Sequence, residues 1–286
     1  MLEQLRFVRI PVPSLDADSS ILADIVGLEA VERLKWCARF RSDARAYSLE
    51  LDASGAAERP VIGVSLRTVE QLNEVERMLA ERGWGVERIP AEICRDRRYY
   101  AGLACRDLGG NNIELVVRAE DKSRRCFPSR DAGVVGLSQV TIGSRDPAAD
   151  AAVWTDVLGA RIADRVGEAV YLGWDEAHHR IMLVPSARDK FVVVGFEVES
   201  IDVLMQSNYY FLDRQVGIVR GPGKEPASGQ VFLTFGGPSP DTYFSYWTKS
   251  DPWSGARRPR QFAAMPDSYC SWGSASAVTE LGGDAS

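Results

Sequence analysis

The chain has 286 residues, of which 45% are hydrophobic and 26% are charged, a composition typical of a globular protein long enough to hold two hydrophobic cores. Its formal net charge of -6 argues against a nucleic acid as partner. No apolar stretch approaches the roughly 20 residues that cross a bilayer, and the N-terminus lacks the basic-then-apolar order of a signal peptide. We therefore expect a cytoplasmic protein with neither a nucleic acid nor a membrane as its partner.

An internal repeat dominates the sequence. Gly27 and Gly159 end two similar stretches, and their separation is 159 − 27 = 132 residues. The same offset carries residues 68–69 onto 200–201 and residues 81–86 onto 213–218. A repeat of this length predicts a folded module rather than one turn of a solenoid.

In each copy the pattern predicts a strand, a helix and then several strands. In the first copy, strand-like residues 5–9 precede a helix over residues 19–26, which Gly27 can end in a left-handed conformation. In the second copy, residues 136–142 alternate like a strand, and Asp146 with Pro147 fits an N-cap and first-turn proline. Gly159 ends this helix as Gly27 ends the first.

Further elements of the second copy follow in order. Strand-like runs occupy residues 169–172, 180–184 and 191–198, a helix runs from 200 to 213, and strands close the module at 230–235 and 243–247. The charged, proline-containing segment after the first copy is typical of a linker. The sequence thus predicts an N-terminal module over residues 1–120, a linker over 121–133, a C-terminal module over 134–249 and an irregular tail over 250–286.

Three motifs carry a resemblance to a known family. Residues 107–115 (DLGGNNIEL) are similar to a strand ending of the vicinal oxygen chelate superfamily, residues 154–159 (WTDVLG) to its helix end, and Trp272-Gly273 to a tail motif. The chain resembles most closely the two-domain type I extradiol dioxygenases of that superfamily. The resemblance implies an α+β fold of two tandem modules, each built of paired βαβββ units whose curved antiparallel or mixed sheet surrounds a cavity.

The resemblance also implies where a metal would lie. Relatives hold Fe(II) or Mn(II) with two histidines and a carboxylate, and these positions align with Gln139, with Val193 (or Val192), and with Ser245. An amide and a hydroxyl are weak ligands and valine is none, so we expect neither a metal nor another cofactor. In the first module Glu114 matches the carboxylate position, with Phe7 and Val61 at the partner positions. We expect Glu114 to cap or hydrogen-bond inside the first cavity.

The chain's two histidines are adjacent, at His178 and His179. By resemblance, His179 falls on the position that acts as acid-base on the substrate, and an imidazole with a pKa of about 6.5 can transfer protons near neutrality. Strand alternation predicts one ring inward and one outward, so a surface loop is the alternative. A metal site formed by residues 175–179 is disfavoured, because neighbours on one short loop rarely converge on one ion.

These observations give one catalytic candidate, His179. The candidate substrate-binding residues share the second cavity, Phe235 standing where relatives carry an assisting tyrosine: Gln139, His178, Val193, Phe235, Tyr243 and Ser245. The partner implied is an aromatic or polyketide-like small molecule, and the sequence leaves open whether the chain forms a homo-oligomer. We expect a metal-independent isomerase, lyase, hydrolase or cofactor-free oxygenase. A non-catalytic binding protein or pseudoenzyme, and a ring-cleavage dioxygenase with atypical ligands, remain alternatives.

Overall fold

The computed structural model describes residues 1–15, 19–255 and 257–283. In this part of the chain the first module contains eight strands and three helical segments, which follow one another as β1 (Leu2–Pro11), the π-helical α1 (Ile21–Ile25), β2 (Glu29–Arg33), β3 (Cys37–Arg41), β4 (Leu49–Asp52), β5 (Val61–Leu66), α2 (Val69–Glu81), β6 (Val86–Arg88), α3 (Ala91–Asp96), β7 (Ala101–Arg106) and β8 (Asn112–Val117).

Within the described residues, the second module repeats this order but has no counterpart of α3. It consists of β9 (Val134–Ser144), α4 (Pro147–Ala152) continued by a π-helical segment (Val153–Val157), β10 (Arg161–Val166), β11 (Ala169–Gly173), β12 (Ile181–Pro185), β13 (Val192–Val198), α5 (Ile201–Asp213), β14 (Ile218–Lys224), β15 (Val231–Gly236) and β16 (Thr242–Trp247). Helices α2 and α5 are offset by 201 − 69 = 132 residues at their start and by 213 − 81 = 132 at their end. The predicted duplication is confirmed.

The helix cap and the two glycines have the geometry expected from the sequence. Asp146 accepts a hydrogen bond from the backbone N–H of Ala149 at 3.0 Å, as an N-cap does. Gly27 and Gly159 have φ angles of +71° and +75°, a region that L side chains rarely adopt. The predicted helix over residues 19–26 is mainly a π-helical turn, since the N–H of Val26 bonds to the carbonyl of Ile21.

Both sheets have the same topology. Their strand orders are β2-β3-β4-β1-β5-β8-β7-β6 and β14-β15-β16-β13-β9-β12-β11-β10, with a further strand, β17 (Arg260–Phe262), at the end of the second. Each sheet joins two four-stranded halves through antiparallel first and fifth strands, β1 with β5 and β9 with β13. Each half contains a strand, a helical segment and three strands. The predicted α+β fold of paired βαβββ units is confirmed.

The two faces of the second sheet belong to different clusters. Along β13, Val192, Val194 and Phe196 join a core that continues into the first module, whereas Val193 lies in a smaller cluster on the opposite face. This division follows from the alternation of side chains along a strand. We call the side occupied by Val193 the inner face of the second module.

The C-terminal tail is more ordered than the irregular segment expected from the sequence. Besides β17 it contains α6 (Pro266–Tyr269) and a 3₁₀ turn (Thr279–Leu281), whereas residues 256 and 284–286 lie outside the described part. β17 runs parallel to β10, with Arg260 opposite Asp164. A three-residue strand held by an ion pair with a distant residue leaves no periodic pattern in the sequence. Within the described residues, no helix combines the length and apolar composition needed to cross a membrane.

Candidate functional site

The strands of the second module bring two of the expected site residues together. Gln139 on β9 is paired with Gly195 on β13, and Gly195 is paired with Ser245 on β16. Paired residues project from the same face of a sheet, so these three positions form one row on the inner face. Val193 is displaced by two residues and pairs with Thr141 and Tyr243 instead. The register therefore assigns the middle position of the row to Gly195 rather than to Val193.

Gly195 allows two polar side chains to approach its backbone. A Cβ atom at this position would lie 2.8 Å from Cγ of Gln139 and 2.9 Å from Nε1 of Trp247. The indole Nε1 of Trp247 is buried and has no protein partner. Ser245 is fully buried, and its hydroxyl is 2.9 Å from that of Thr234. The row therefore combines an amide, an indole N–H and a hydroxyl around a glycine.

Phe235 lies on the other face of the sheet. Its ring is 4.5 Å from that of Phe211 in α5 and belongs to the core shared by the modules. Thr234 and Phe232 occupy the inner-face positions of β15, because alternate residues of a strand share a face. Phe235 was expected to contact the substrate, but the alignment is displaced by one residue in register, which places its ring on the opposite face. Tyr243 is on the inner face and half-buried, with its ring 5.9 Å from Phe191.

Both histidines are buried, contrary to the expected alternation. His178 is 1% exposed and His179 is 2% exposed, and their rings lie 5.7 and 4.8 Å from that of Tyr171. Alternation does not apply because the histidines lie in the bend before β12, which begins at Ile181. Arg180 bonds to the backbones of Ser138 and Val140, on either side of Gln139. This places the histidine pair beside the start of the row.

The histidines and a buried carboxylate form a continuous hydrogen-bonded chain. Nε2 of His178 is 2.9 Å from Oδ2 of Asp164, and the Nδ1 atoms of His178 and His179 are 3.0 Å apart. An ionised carboxylate can only accept, so Nε2 of His178 carries a proton. When His178 is neutral, its Nδ1 accepts from Nδ1–H of His179. This leaves an unprotonated Nε2 on His179, which is buried and has no protein partner.

The pKa shifts of Asp164 and His179 support this hydrogen-bonded arrangement. Burial alone would raise the pKa of the Asp164 carboxyl, but hydrogen bonds from His178 and Arg260 outweigh burial and hold the pKa below its ordinary value. Burial lowers the pKa of His179 well below its usual value. His179 is therefore neutral near pH 7 and can accept a proton at Nε2. We call Asp164, His178 and His179 the relay.

A second buried hydrogen-bonded pair adjoins the relay. The hydroxyl of Tyr171 donates to Glu225 at 3.1 Å, and Ser228 donates to the other carboxylate oxygen at 2.5 Å. Burial, and then the charge of Glu225, raises the pKa of Tyr171 well above its ordinary value. Tyr171 thus remains protonated and separates Glu225 from the histidine rings.

The C-terminal tail closes the inner face of the second module. The indole of Trp253 lies 6.3 Å from the ring of His178, and Arg257 and Arg260 both form ion pairs with Asp164. Further along the tail, Val278 and Leu281 are buried in the inner-face cluster. Access to His179 from this side therefore depends on the position of the tail.

The corresponding space in the first module is filled. Glu114 accepts hydrogen bonds from Arg9 at 3.0 Å, from Arg97 at 2.6 Å and from Tyr99 at 3.3 Å. Phe7 pairs with Gly63, and its ring lies 2.4 Å from where a Cβ of that glycine would be. Glu114 therefore has the internal hydrogen-bonding role expected from the sequence, and the ring of Phe7 covers Gly63.

A cavity of about 780 Å³ lies between the modules. It is lined by charged residues of both modules, among them Arg6, Arg45 and Arg180, and by Ser138 next to Gln139. Neither His179 nor Gln139 lines it. We therefore place the candidate site on the inner face of the second module, where the buried polar groups of the relay lie, rather than in this cavity.

Several residues of the site were not predicted from the sequence. Asp164, Tyr171 and Glu225 come from three different segments, and each is a single residue without a motif. Gly195 could have been found from the offset, since 195 − 132 = 63 is also a glycine. No local signal identifies the others.

Solved structures provide the fold comparison. A halotolerant catechol dioxygenase, BphC, matches with a TM-score of 0.83 and 17% identity over 92% of each chain. The Mn(II)-bound glyoxalase from Novosphingobium aromaticivorans matches with 0.84 and 20%, over 100% of this chain and 95% of the other. Homoprotocatechuate 2,3-dioxygenase from Arthrobacter globiformis matches with 0.82 and 15%, over 95% and 87%. In sequence, the chain matches no family model and no curated protein.

The residues of the row do not fit a divalent metal ion. Gln139, Gly195 and Ser245 offer an amide oxygen, no side-chain donor and a hydroxyl already bonded to Thr234, whereas Fe(II) and Mn(II) favour imidazole and carboxylate ligands. In the described part of the chain, no three His, Cys, Asp or Glu residues come together as metal ligands would. The donor set thus differs from the metal site implied by the resemblance, although the architecture is shared. The chain has the two-module vicinal oxygen chelate fold of the extradiol dioxygenases and glyoxalases.

Proposed function

We propose that this chain is a cytoplasmic acid-base enzyme that acts without a metal ion on an aromatic or polyketide-like oxygenated small molecule. One observation carries the proposal: Nε2 of His179 is buried, lacks a protein partner and ends the hydrogen-bonded relay from Asp164. A buried base oriented by a second group is typical of acid-base catalysis. The aromatic rings of the inner face fit a flat ligand.

The relay can accept one proton from the substrate and later return it. Nε2 of His179 takes a proton from a ring hydroxyl or from an acidified carbon, which leaves the negative charge on substrate oxygen. The imidazolium is stabilised because His179 donates Nδ1–H to His178, which itself donates to Asp164. The proton is then returned to another substrate atom. Isomerisation, elimination, hydrolysis and cofactor-free oxygenation can each begin with this transfer.

A chromogenic catechol tests the first step. We would treat the full chain with a chelator and bind 4-nitrocatechol at a pH where the free probe is neutral. The attraction between the phenolate and the imidazolium that the transfer forms offsets the low pKa of His179, so the spectrum of the anion is expected in the wild-type complex but not in His179→Gln. On any substrate found by screening related rings, His179→Gln is expected to reduce turnover by about 10²- to 10⁴-fold, with a much smaller change in Kd.

A non-catalytic binding protein is the second candidate. It is favoured by the closed inner face, where Trp253, Val278 and Leu281 cover the cluster around Tyr171, because a sequestering protein needs a sealed apolar site. Ligand binding by the wild type without turnover, kept in His179→Gln and lost in Tyr171→Ala, would favour this candidate. A stoichiometric transition metal bound at Gln139 and Ser245 would instead revive ring cleavage.

A further inference from the structure

Arg220 on β14 is a buried guanidinium with incomplete pairing. It is 1% exposed, and its Cζ lies 3.7 Å from the ring centre of Phe232. Nη2 donates to the backbone carbonyl of Tyr269 at 2.7 Å, whereas Nε and Nη1 are buried without a protein partner. Among the described residues, no carboxylate forms a hydrogen bond or ion pair with it, and Glu225 acts on it only through its charge. Buried guanidinium nitrogens without hydrogen-bond partners are costly, so Nε and Nη1 of Arg220 point to a ligand that pairs with them.

Arg220 belongs to the same face as the candidate site. The strand register continues the row from Gln139 to β14, through the pairs Gln139–Gly195, Gly195–Ser245, Ser245–Thr234 and Thr234–Arg220. Paired residues share a face. The charge of Glu225 acts on Arg220, Glu225 accepts a hydrogen bond from Tyr171, and the ring of Tyr171 contacts that of His179. Glu225 and Tyr171 therefore connect Arg220 with the relay.

Among the described residues, the hydrogen-bond acceptor of the guanidinium comes from the tail. Tyr269 ends α6, and the tail continues past Arg220 in an isolated antiparallel bridge to Ser276. The N–H of Ala277 donates to the carbonyl of Val219 at 2.7 Å. The tail that closes the inner face thus supplies one neutral oxygen to Arg220. Both edges of a guanidinium that can hold a carboxylate through two nitrogens include Nη2, so displacing the carbonyl of Tyr269 exposes a complete fork.

We propose that Arg220 binds a carboxylate of the substrate, which replaces the carbonyl of Tyr269 when the tail moves away. The proposal rests on the site proposed above and narrows its ligands to oxygenated rings that carry a carboxylate. The carboxylate would be held at β14, at one end of the row, while His179 acts on the ring near the other end. Arg220 is then a specificity residue, and His179 remains the acid-base group.

Paired probes test the proposal. The full chain is titrated by calorimetry with 3,4-dihydroxybenzoate and with its methyl ester, which keeps the ring and hydroxyls but lacks the charge. The wild type is expected to bind the acid at least about 10-fold more tightly than the ester, in line with a charge-assisted bidentate contact. In Arg220→Met this preference is expected to disappear through weaker binding of the acid, and Arg220→Lys is expected to retain part of it because lysine keeps the charge.

Thermal unfolding distinguishes recognition from a structural role. Arg220→Met removes two unpaired buried nitrogens but also the positive charge that acts on Glu225, so the Tm of the ligand-free protein is expected to fall less than that of a variant in which a fully paired arginine is removed. Arg41 is a matched control: it is also 1% exposed, but its guanidinium is paired with Glu29 and with two backbone carbonyls. Arg41→Met is therefore expected to lower the Tm. A fall in Tm for Arg220→Met as large as that for Arg41→Met would show that Arg220 is structural.

The binding results separate this inference from the proposed function. If the wild type binds acid and ester equally and Arg220→Met changes neither, the inference about Arg220 is wrong while the ring site stands. If the wild type binds neither probe, nor any other oxygenated ring, both are wrong. An acid preference that is lost in Arg220→Met but preserved in His179→Gln supports the inference whatever reaction the chain performs.

Discussion

Replacing His179 should change the acid stability of the protein by a predictable amount. His179 is 2% exposed, and burial holds its pKa well below the ordinary value. In the unfolded chain its pKa is about 6.5. The unfolded chain therefore binds this proton more readily than the folded protein does. The contribution of His179 to the free energy of unfolding is fully present above pH 6.5 and is lost as the pH falls below that value.

The magnitude follows from the linkage relation. If His179 stays neutral in the folded protein, the free energy of unfolding falls by about 1.4 kcal/mol for each pH unit below about 6.5. At pH 5.0 the total decrease is about 2 kcal/mol. His179→Gln keeps a polar side chain of similar length that does not titrate. The free energy of unfolding should therefore fall between pH 7.5 and pH 5.0 by about 2 kcal/mol less in the variant than in the wild type.

Urea unfolding at the two pH values measures this difference. The chain has only two histidines, and His178 is present in both proteins, so few other groups titrate in this range. Equal losses of stability in wild type and variant would show that His179 is protonated as readily in the folded protein as in the unfolded chain. The relay would then lack the desolvated base on which the proposed function depends.

Two further substitutions test the relay and the row. Asp164→Asn leaves the buried N–H of His178 without an anionic acceptor and releases Arg257 and Arg260, which can reach solvent; we expect a loss of about 2–3 kcal/mol in urea unfolding, and an unchanged stability would contradict the relay geometry. Gly195→Ala places a Cβ 2.8 Å from Gln139 and 2.9 Å from Trp247 and should cost about 1–3 kcal/mol, whereas Gly236→Ala on β15, with nothing within 4 Å, should stay within about 0.5 kcal/mol.

The fold could be predicted because its signals are local or periodic. The offset of 132 residues, the N-cap at Asp146 and the glycines after the π-helical segments are all visible in the sequence. Strands β10 and β14 were missed, since β10 (RIADRV) mixes charged and small residues and β14 (IVRGPGK) contains glycine and proline. Such strands owe their pairing to neighbours that are distant in sequence.

The site was predicted less well, because register decides which face a residue occupies. An alignment error of one residue places Phe235 in the shared core instead of on the inner face, where Thr234 lies. His178 and His179 precede the strand, so both can be buried beside Tyr171. Asp164, the partner that orients them, is separated from His178 by 14 residues and carries no sequence signal.

The two modules use the same row of strand positions for opposite purposes. In the first, the ring of Phe7 covers Gly63, and Glu114 is saturated by Arg9, Arg97 and Tyr99. These charges are paired with one another, which stabilises this part of the module.

In the second module, the equivalent row and its surroundings keep buried polar atoms that lack protein partners, on His179, Arg220 and Trp247. Unpaired polar groups destabilise a fold. Such atoms also occur elsewhere, for example Nε of Arg45 in the first module. Those of the inner face share the site of the proposed function, and under that proposal their positions predict the chemistry of the ligand: an acidic proton for His179 and an anionic oxygen for Arg220.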